Sequence, residues 1–179
     1  MRRIFVGLFA GLIAAALGSG SLPVAASGSS QTIVGIAASN PDFSTLVSAV
    51  SCTGLVPTLN GTDRYTVFAP TNEAFAKLGL SSANVCSLPK ATLTNILLYH
   101  VTEGTRLAKS VLPKAGHRSR TIETLLDDQS FKVNSNGTIT TSSGGTSHIV
   151  AANIIASNGV IHVIDTVLMP SANGGDDDK

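Results

Sequence analysis

The apolar residues of this chain follow one period in its first half and a different period in its second half. Four of them recur at i, i+3, i+4 and i+7, the spacing of one buried helix face: Phe43, Leu46, Val47 and Val50. Residues 130–134 and 138–141 instead alternate apolar and polar side chains, and Asn136-Gly137 between them is a strong hairpin signal. A helical part followed by antiparallel hairpins predicts an α+β fold rather than a parallel α/β sheet.

Further local signals extend this division of the chain. Asn40-Pro41-Asp42 is typical of a helix start, because it combines a side-chain cap, a proline that needs no N–H partner and an acidic first turn. A second start at 87–89 leads into another helical stripe, formed by Leu93, Ile96, Leu97 and His100, and Ile33, Ile36 and Ala37 predict a shorter helix. The β-branched run 149–155, the turn 157–159 and the run 160–163 predict one more hairpin, with Val160, His162 and Ile164 on one face of its second strand.

The first 26 residues have the features of a secretory signal peptide. Arg2 and Arg3 precede an uncharged, mostly apolar run of 14 residues, and small residues follow up to an expected cleavage between Ala26 and Ser27. The run is shorter than the roughly 20 residues of a membrane-spanning helix, which disfavours the alternative of an uncleaved anchor. We therefore expect a signal at 1–26, a flexible lead at 27–30, one domain at 31–170 and a disordered acidic tail at 171–179. Such a product is secreted, periplasmic or at the cell surface.

Charge and aromatic content restrict the class of partner. Removal of Arg2 and Arg3 with the signal changes the formal charge of +1 to −1, which argues against nucleic acid because phosphates require a basic surface. The basic residues between Lys109 and Arg120 have no aromatic residue among them, so we interpret this run as a solvated loop. Without tryptophan and with few other aromatics, the chain has little material for stacking on sugars, whereas aliphatic residues alone can line a cleft for an apolar ligand.

Two cysteines, Cys52 and Cys86, lie in the expected mature part. In an exported chain an even pair predicts a disulfide, here closing a loop of about 34 residues. Two buried free thiols are the less favoured alternative.

The sequence lacks the familiar motifs of enzymes and metal proteins. Its four histidines stand singly, without His-Glu-x-x-His spacing, and 27–179 has neither a Gly-x-Ser-x-Gly nucleophile turn nor a phosphate-binding loop. Asp127-Asp128, the adjacent acid pair before the tail, is expected in an exposed turn. We therefore predict a non-catalytic protein without a metal or a cofactor, although a carboxylate pair assembled in space is not excluded by sequence.

Three segments, taken together and in this order, resemble the fasciclin domain family. They are 66–75 (Thr-Val-Phe-Ala-Pro-Thr-Asn-Glu-Ala-Phe), 97–101 (Leu-Leu-Tyr-His-Val) and 156–170 (Ala-Ser-Asn-Gly-Val-Ile-His-Val-Ile-Asp-Thr-Val-Leu-Met-Pro). The first also indicates a buried strand over 65–69, ended by Pro70, with Thr71 or Asn72 capping the next helix. The resemblance covers about 31–170. It implies a β-sandwich-like wedge with several helices packed at one end.

The resemblance also implies a function and a set of site residues. It implies adhesion or another interaction with an extracellular or envelope protein or matrix, with no stable membrane span after signal removal; the alternative is a carrier of an apolar small molecule such as a pigment or lipid. Tyr99, His100 and Asn153 are the candidate partner-binding residues, with Tyr99 expected to reach solvent and His100 expected on a buried stripe. Six residues are expected to be mainly structural, because buried polar groups must be paired: Thr71, Asn72, Asn158, Gly159, His162 and Asp165.

One departure from the family pattern concerns Asn153. Adhesive animal members of the family can carry Glu-Pro-Asp-Ile-Met just before the closing signature, and the matching positions here are 151–155 (Ala-Ala-Asn-Ile-Ile). Asn153 therefore has a neutral amide oxygen where a divalent cation would prefer a carboxylate. We expect no metal-dependent receptor contact at this position.

Overall fold

The computed structural model describes residues 31–114 and 118–171. The expected signal, lead and most of the tail therefore lie outside the described residues. Helices concentrate in the first half, as the spacing predicts: α1 (Ile33–Ser39), α2 (Ser44–Thr53), α3 (Val56–Leu59), α4 (Asn72–Ala76), α5 (Lys90–Tyr99) and α6 (Ala108–Val111). Short 3₁₀ turns cover Pro41–Phe43 and Val85–Ser87. Asn40 caps the first of these by accepting from the N–H of Asp42, so this predicted helix start is confirmed.

The strands form one sheet. They are β1 (Tyr65–Pro70), β2 (Val101–Glu103), β3 (Ser119–Glu123), β4 (Ser130–Asn134), β5 (Thr138–Thr141), β6 (Thr146–Ala156) and β7 (Gly159–Ile164), in the order β2-β1-β7-β6-β5-β4-β3. Both predicted hairpins, β4–β5 and β6–β7, are present and antiparallel. β1 and β7 pair in parallel, with Tyr65 opposite Gly159 and Pro70 opposite Ile164.

The sheet folds over at β6, and this bend produces the expected wedge. The first residues of β6 pair with β5, while its last residues pair with β7, and the β6–β7 register shifts twice between Ile149 and Ile154. Such bulges increase the local bend and twist of a strand. β3, β4 and β5 therefore lie across one face of β1 and β7, as shown by the edge-to-face contact of Phe68 with Phe131, whose ring centroids are 4.9 Å apart.

Two apolar cores result from this arrangement. Every residue of β1 and β7 is buried, because the helices cover one face of these strands and the folded-over half of the sheet covers the other. The first core, against the helices, includes Phe43, Leu46 and Val67. The second core, inside the folded sheet, includes Phe131 and Ile164. The α+β fold class is confirmed.

The basic run near 109–120 is only partly the solvated loop that we expected, since Lys114 is exposed and outside regular structure but other members are not. Lys109 lies in α6, and Arg118 directly precedes β3, which contains Arg120. A guanidinium N–H of Arg120 donates to the carbonyl of Ser110, which joins β3 to α6. His117 falls outside the described residues. The sequence did not predict these elements, because a short edge strand and a one-turn helix have too few apolar positions to show a period.

Candidate functional site

The polar residues of the first signature join two helices. Thr71 caps α4, since its hydroxyl oxygen accepts from the N–H of Ala74 at 3.3 Å. Asn72 reaches across to the start of α2, where its Oδ1 accepts from the N–H of Thr45 at 3.0 Å and its Nδ2 donates to the carbonyl of Pro41 at 2.8 Å. Both side chains therefore satisfy N–H groups that helix starts leave without partners, and Asn72 adds a bond to the Pro41 carbonyl.

Asn158 and Gly159 form the turn before β7 and connect it to the helices. The buried Asn158 amide accepts from the N–H of Ile33 at 2.9 Å and donates to the carbonyl of Leu59 at 2.7 Å, so one side chain holds α1 and α3. Gly159 lies against the backbone of β1, where a Cβ atom would come within 1.9 Å of the Tyr65 carbonyl oxygen. Only glycine fits this position without displacing the strand.

His100 joins the end of α5 to the chain segment that follows β7. It is 2% exposed; its Nδ1 lies 2.7 Å from the carbonyl oxygen of Ile96, and its Nε2 accepts from the N–H of Leu168 at 2.9 Å. A carbonyl accepts and an amide N–H donates, so this geometry fits a neutral imidazole protonated at Nδ1. Burial lowers the pKa of His100 to about 4, although the hydrogen bond to Ile96 opposes the shift.

His162 has a similar position in β7. Its ring is fully buried; Nε2 lies 2.8 Å from the carbonyl oxygen of Arg106, and Nδ1 accepts a longer bond from the N–H of Asn153 at 3.4 Å. Burial lowers the pKa of His162, and the bond to Arg106 only partly offsets this. This imidazole therefore connects β7 to the loop before α6 and to the bulge of β6.

The expectation that Tyr99 reaches solvent is wrong. Tyr99 is fully buried, its hydroxyl donates to the carbonyl of Ser130 at 2.9 Å, and it accepts from the N–H of Ser142 at 3.2 Å. The cause is that the end of α5 lies between the two cores, so that the side opposite the apolar stripe is buried as well. With His100 also buried, neither residue of this pair presents a surface to a partner.

Asn153 is the candidate partner residue that lies at the surface. It occupies the bulged part of β6 with a left-handed backbone, φ 63°, a conformation that asparagine tolerates better than most residues. Its Oδ1 accepts from the N–H of Ala108 at 2.7 Å, at the start of α6. The amide oxygen at the position of the family's aspartate is thus engaged with the protein itself.

Asp165 fixes the chain after β7. One carboxylate oxygen accepts from the N–H of His148 at 2.8 Å and from the hydroxyls of Ser147 at 3.2 Å and Thr166 at 3.1 Å. Burial acts to raise the pKa of Asp165, but these three hydrogen bonds and the charge of Lys77 outweigh it and lower the pKa overall. The site residues are thus distributed over several junctions and do not converge on one reaction centre.

Cys52 and Cys86 form a disulfide that ties the end of α2 to the 3₁₀ turn before α5. Their Cα atoms are 5.9 Å apart, within the usual range for such a bond. Both residues are exposed. The predicted pairing is present in the structure.

The described residues contain neither a metal-binding cluster nor a membrane-spanning helix. Within 31–114 and 118–171, no cluster of three or more His, Cys, Asp or Glu side chains is arranged to hold a metal ion. No helix in the same ranges has the length and apolar character to cross a bilayer.

Two cavities lie beside the helices in the part of the chain that the structure describes. The first is an apolar cleft of about 40 Å³ between α1, α2, α3, α5 and β1; its lining includes Ile33, Leu46, Val50, Leu59 and Leu97. The second is a larger, mixed polar and apolar groove of about 520 Å³ beside α5, hereafter the α5 groove. Helical spacing could identify the stripes that line the first cleft, whereas the α5 groove combines residues from three distant segments.

A folded-over sheet, capped by helices and connected through buried amide and imidazole side chains, defines an α+β scaffold of the fasciclin type. The chain belongs to the fasciclin domain family, because the family model described as Fasciclin domain matches residues 41–170. The predicted family membership is therefore confirmed.

Several relatives support this membership. Protein sll1483 of Synechocystis sp. is 41% identical over 150 residues, covering 82% of this chain and 77% of that protein. Immunogenic protein MPB70 of Mycobacterium bovis is 37% identical over 157 residues, covering 84% and 75%. Transforming growth factor-beta-induced protein ig-h3 of Sus scrofa is 37% identical over 142 residues, covering 79% of this chain but only 20% of the larger protein.

A solved structure shows the same fold. The FAS1 domain pair from the insect cell adhesion molecule Fasciclin I matches with a TM-score of 0.64 and 20% identity, over 79% of this chain and 51% of that chain. At this identity the likeness concerns the fold alone.

Proposed function

We propose that this protein acts outside the cytoplasm as a non-catalytic module that binds an extracellular or envelope protein or matrix component. The observation that carries the proposal is the fasciclin domain match over 41–170. Two similar proteins have names that agree with this location: a cell surface glycolipoprotein of Mycobacterium bovis, MPB83, which is 35% identical over 156 residues, and the insect cell adhesion molecule.

The use of the signature residues supports a binding role over a catalytic one. The imidazoles of His100 and His162 contact main-chain groups through both ring nitrogens. A general base needs a free nitrogen within reach of a substrate proton. Because these bonds occupy both rings inside the domain, we assign recognition to the outer surface.

The experiment is capture of partners by the immobilised secreted protein from a cell-envelope fraction of the producing organism. Specific retention of an envelope protein or polymer is the expected result. A variant with Asn136 replaced by lysine, at an exposed turn, provides a surface control that leaves the core intact. Failure of the parent protein to retain any envelope component above a blank matrix would refute the proposal.

A carrier of an apolar small molecule is the second candidate, and the apolar cleft between the helices is the observation that favours it. Its volume of about 40 Å³ is well below the roughly 300 to 1,000 Å³ of most ligand sites. A pigment would therefore require α1 and α3 to move away from α2. Organic extraction of the purified protein followed by mass spectrometry tests this candidate, and a stoichiometric apolar compound in the extract would establish it over the binding module.

A further inference from the structure

The α5 groove combines unpaired polar groups with an apolar floor. It lies between α5, the turn joining β3 to β4, and the segment after β7, and its volume is about 520 Å³. This volume is within the usual range for ligand sites. Its lining consists of Thr92, Asn95, Ile96, Leu126, Asp127, Gln129, Met169, Pro170 and Ser171.

Gln129 is the feature that distinguishes this groove from an ordinary surface depression. The residue is only 8% exposed, and its Oε1 accepts from the hydroxyls of Ser142 at 3.1 Å and Ser171 at 3.3 Å. Its Nε2 has no hydrogen-bond partner among the described residues. Because every fully buried side-chain nitrogen and oxygen in those residues does have a partner, Nε2 must be accessible to solvent. Gln129 lines the groove with its Oε1 held by two hydroxyls, and its amide N–H groups remain available as donors.

Other polar groups of the groove are also unused by the fold. The side chains of Thr92, Asn95 and Asp127 make no hydrogen bond or ion pair with another described residue, and all three are exposed. The neighbouring Asp128 adds a second exposed carboxylate at the same turn. The groove thus offers amide donors and acceptors, a hydroxyl and a negative edge, while Ile96, Leu126 and Met169 supply apolar surface.

This chemistry selects among classes of occupant. An anion or a nucleic acid is disfavoured, because the lining contains no lysine or arginine and has acidic groups at its edge. A sugar is disfavoured because no aromatic ring lines the groove. An apolar chain would cover the Gln129 and Asn95 amides without giving them hydrogen-bond partners, which is unfavourable.

We infer that the α5 groove binds an extended, basic peptide segment of a partner protein. The Gln129 and Asn95 amides bond the peptide main chain, Ile96 and Leu126 receive an aliphatic side chain, and Asp127 pairs with a lysine or arginine. This assignment rests on the proposed function, because it names the surface through which the module contacts its partner.

The test is a titration of the ¹⁵N-labelled secreted protein with a pool of acetylated pentapeptide amides that carry lysine at the centre and Ala, Val or Leu elsewhere. A matched pool carries glutamate at the centre. The side-chain amide signals of Gln129, assigned by their loss in Gln129→Glu, report directly on the groove. We expect the lysine pool to shift these signals and the glutamate pool to leave them unchanged.

Matched variants locate the contact. Asn95→Lys fills the groove and repels a basic peptide. Its affinity for the lysine pool should therefore fall by about tenfold or more, as for other like-charge contacts. Asn136→Lys makes the same replacement at the exposed β4–β5 turn, at the opposite end of β4 from Gln129. This variant should bind the lysine pool like the parent. Asp127→Asn should weaken binding by about twofold to fivefold, as expected for an exposed ion pair.

Several outcomes would overturn the assignment. They are unchanged Gln129 signals with the lysine pool, equal binding of the glutamate pool, equal binding by Asn95→Lys, or shifts produced by a neutral oligosaccharide such as cellotetraose instead. A shift of the Gln129 signals on deletion of 172–179, without peptide, would make the tail the occupant and also overturn it. If Asn95→Lys still captures the same envelope partner as the parent, the proposed function stands and the groove assignment fails.

Discussion

Buried and half-buried polar side chains connect segments of this domain that are far apart in the sequence. Asn72, Asn158, His100 and His162 each bond main-chain groups outside their own element, at distances between 2.7 and 3.4 Å. A buried main-chain group without a partner is costly, so each of these side chains stabilises two sites at once. Residues that look like a functional motif in the sequence therefore have a structural role, in which each links separate elements of the fold.

Replacing His100 by alanine should destabilise the domain strongly. The change leaves the Ile96 carbonyl and the Leu168 N–H without partners, at about 1 to 3 kcal/mol for each group that remains unsatisfied. His148→Ala, at an exposed histidine of β6, should cost less than about 0.5 kcal/mol. Urea denaturation of the two variants measures both values, and equal stability of His100→Ala and the parent would contradict the structural role.

Acid should destabilise the domain through the same residue. Burial lowers the pKa of His100 to about 4, whereas an unfolded histidine titrates near 6.5. Between these values the unfolded state binds the extra proton, so the contribution of His100 is fully present above about pH 6.5 and is lost as the pH falls toward 4, by about 3 kcal/mol in all. The pKa of His162 is also lowered, so it adds a change of the same sign.

Denaturation of the parent and of His100→Gln at several pH values isolates this effect. Glutamine keeps a donor and an acceptor but takes up no proton, so the variant should lose less stability than the parent between about pH 6.5 and pH 4.5. Parallel curves for the two proteins would show that folding does not lower the pKa of His100. Carboxylates affect both proteins alike and therefore cancel in the difference.

The parallel pairing of β1 with β7 leaves no room for a side chain at the position where β7 begins. Gly159 lies opposite Tyr65 in the parallel β1–β7 pair. Because helices cover one face of this pair and β3–β5 cover the other, neither strand has room to move away. The close approach of the two backbones is thus a property of the elements rather than of the turn alone.

Gly159→Ala should therefore be among the most damaging single changes. Its Cβ would lie 1.9 Å from the Tyr65 carbonyl oxygen and 2.9 Å from the Ile33 side chain, and we expect a loss of about 3 kcal/mol or more. Gly144→Ala is the control, since Gly144 also has a positive φ but no atom within 4 Å of a new Cβ, so it should cost only about 1 to 2 kcal/mol. Thermal melting distinguishes the two variants, and equal losses would mean that backbone conformation dominates over the contact.

The disulfide also joins two elements, because it holds the end of α2 to the 3₁₀ turn before α5. Chain-entropy reasoning assigns about 3 to 4 kcal/mol to a closed loop of this size. The Cys52→Ser, Cys86→Ser double variant should be less stable by roughly that amount in chemical denaturation. Thiol titration of the denatured, unreduced parent gives an independent check: two free thiols per chain would show that the bond does not form in the protein.

At the scale of the whole molecule, the described domain should be the exported product of a longer precursor. The charged start and the small residues up to Ala26 predict cleavage before Ser27. Intact mass spectrometry of the protein recovered outside the cytoplasm should give the mass of a chain that begins at Ser27. Recovery of the uncleaved chain from the cytoplasm of the producing cells would contradict this prediction.

Local patterns in the sequence were sufficient for the fold class and for most elements. The stripes of α2 and α5, the Asn136-Gly137 turn and the alternation of β4 depend on neighbours within a few residues, so periodicity and turn chemistry predict them. Cys52 and Cys86 likewise allowed one intramolecular pairing. The short elements α3, β2, β3 and α6 were missed. α3 and α6 have four residues and β2 has three, too few to show a period, and β3 has a single apolar residue among its five.

Only the tertiary structure decided which surfaces are buried and which are available to a partner. Tyr99 is buried because the folded-over half of the sheet covers the side of α5 opposite its apolar stripe, a contact between segments more than 30 residues apart. The α5 groove has the same kind of origin, since Asn95, Gln129 and Met169 meet only after β6 bends. Local sequence determines the period of an element, whereas the packing of distant elements determines which of its faces remain exposed.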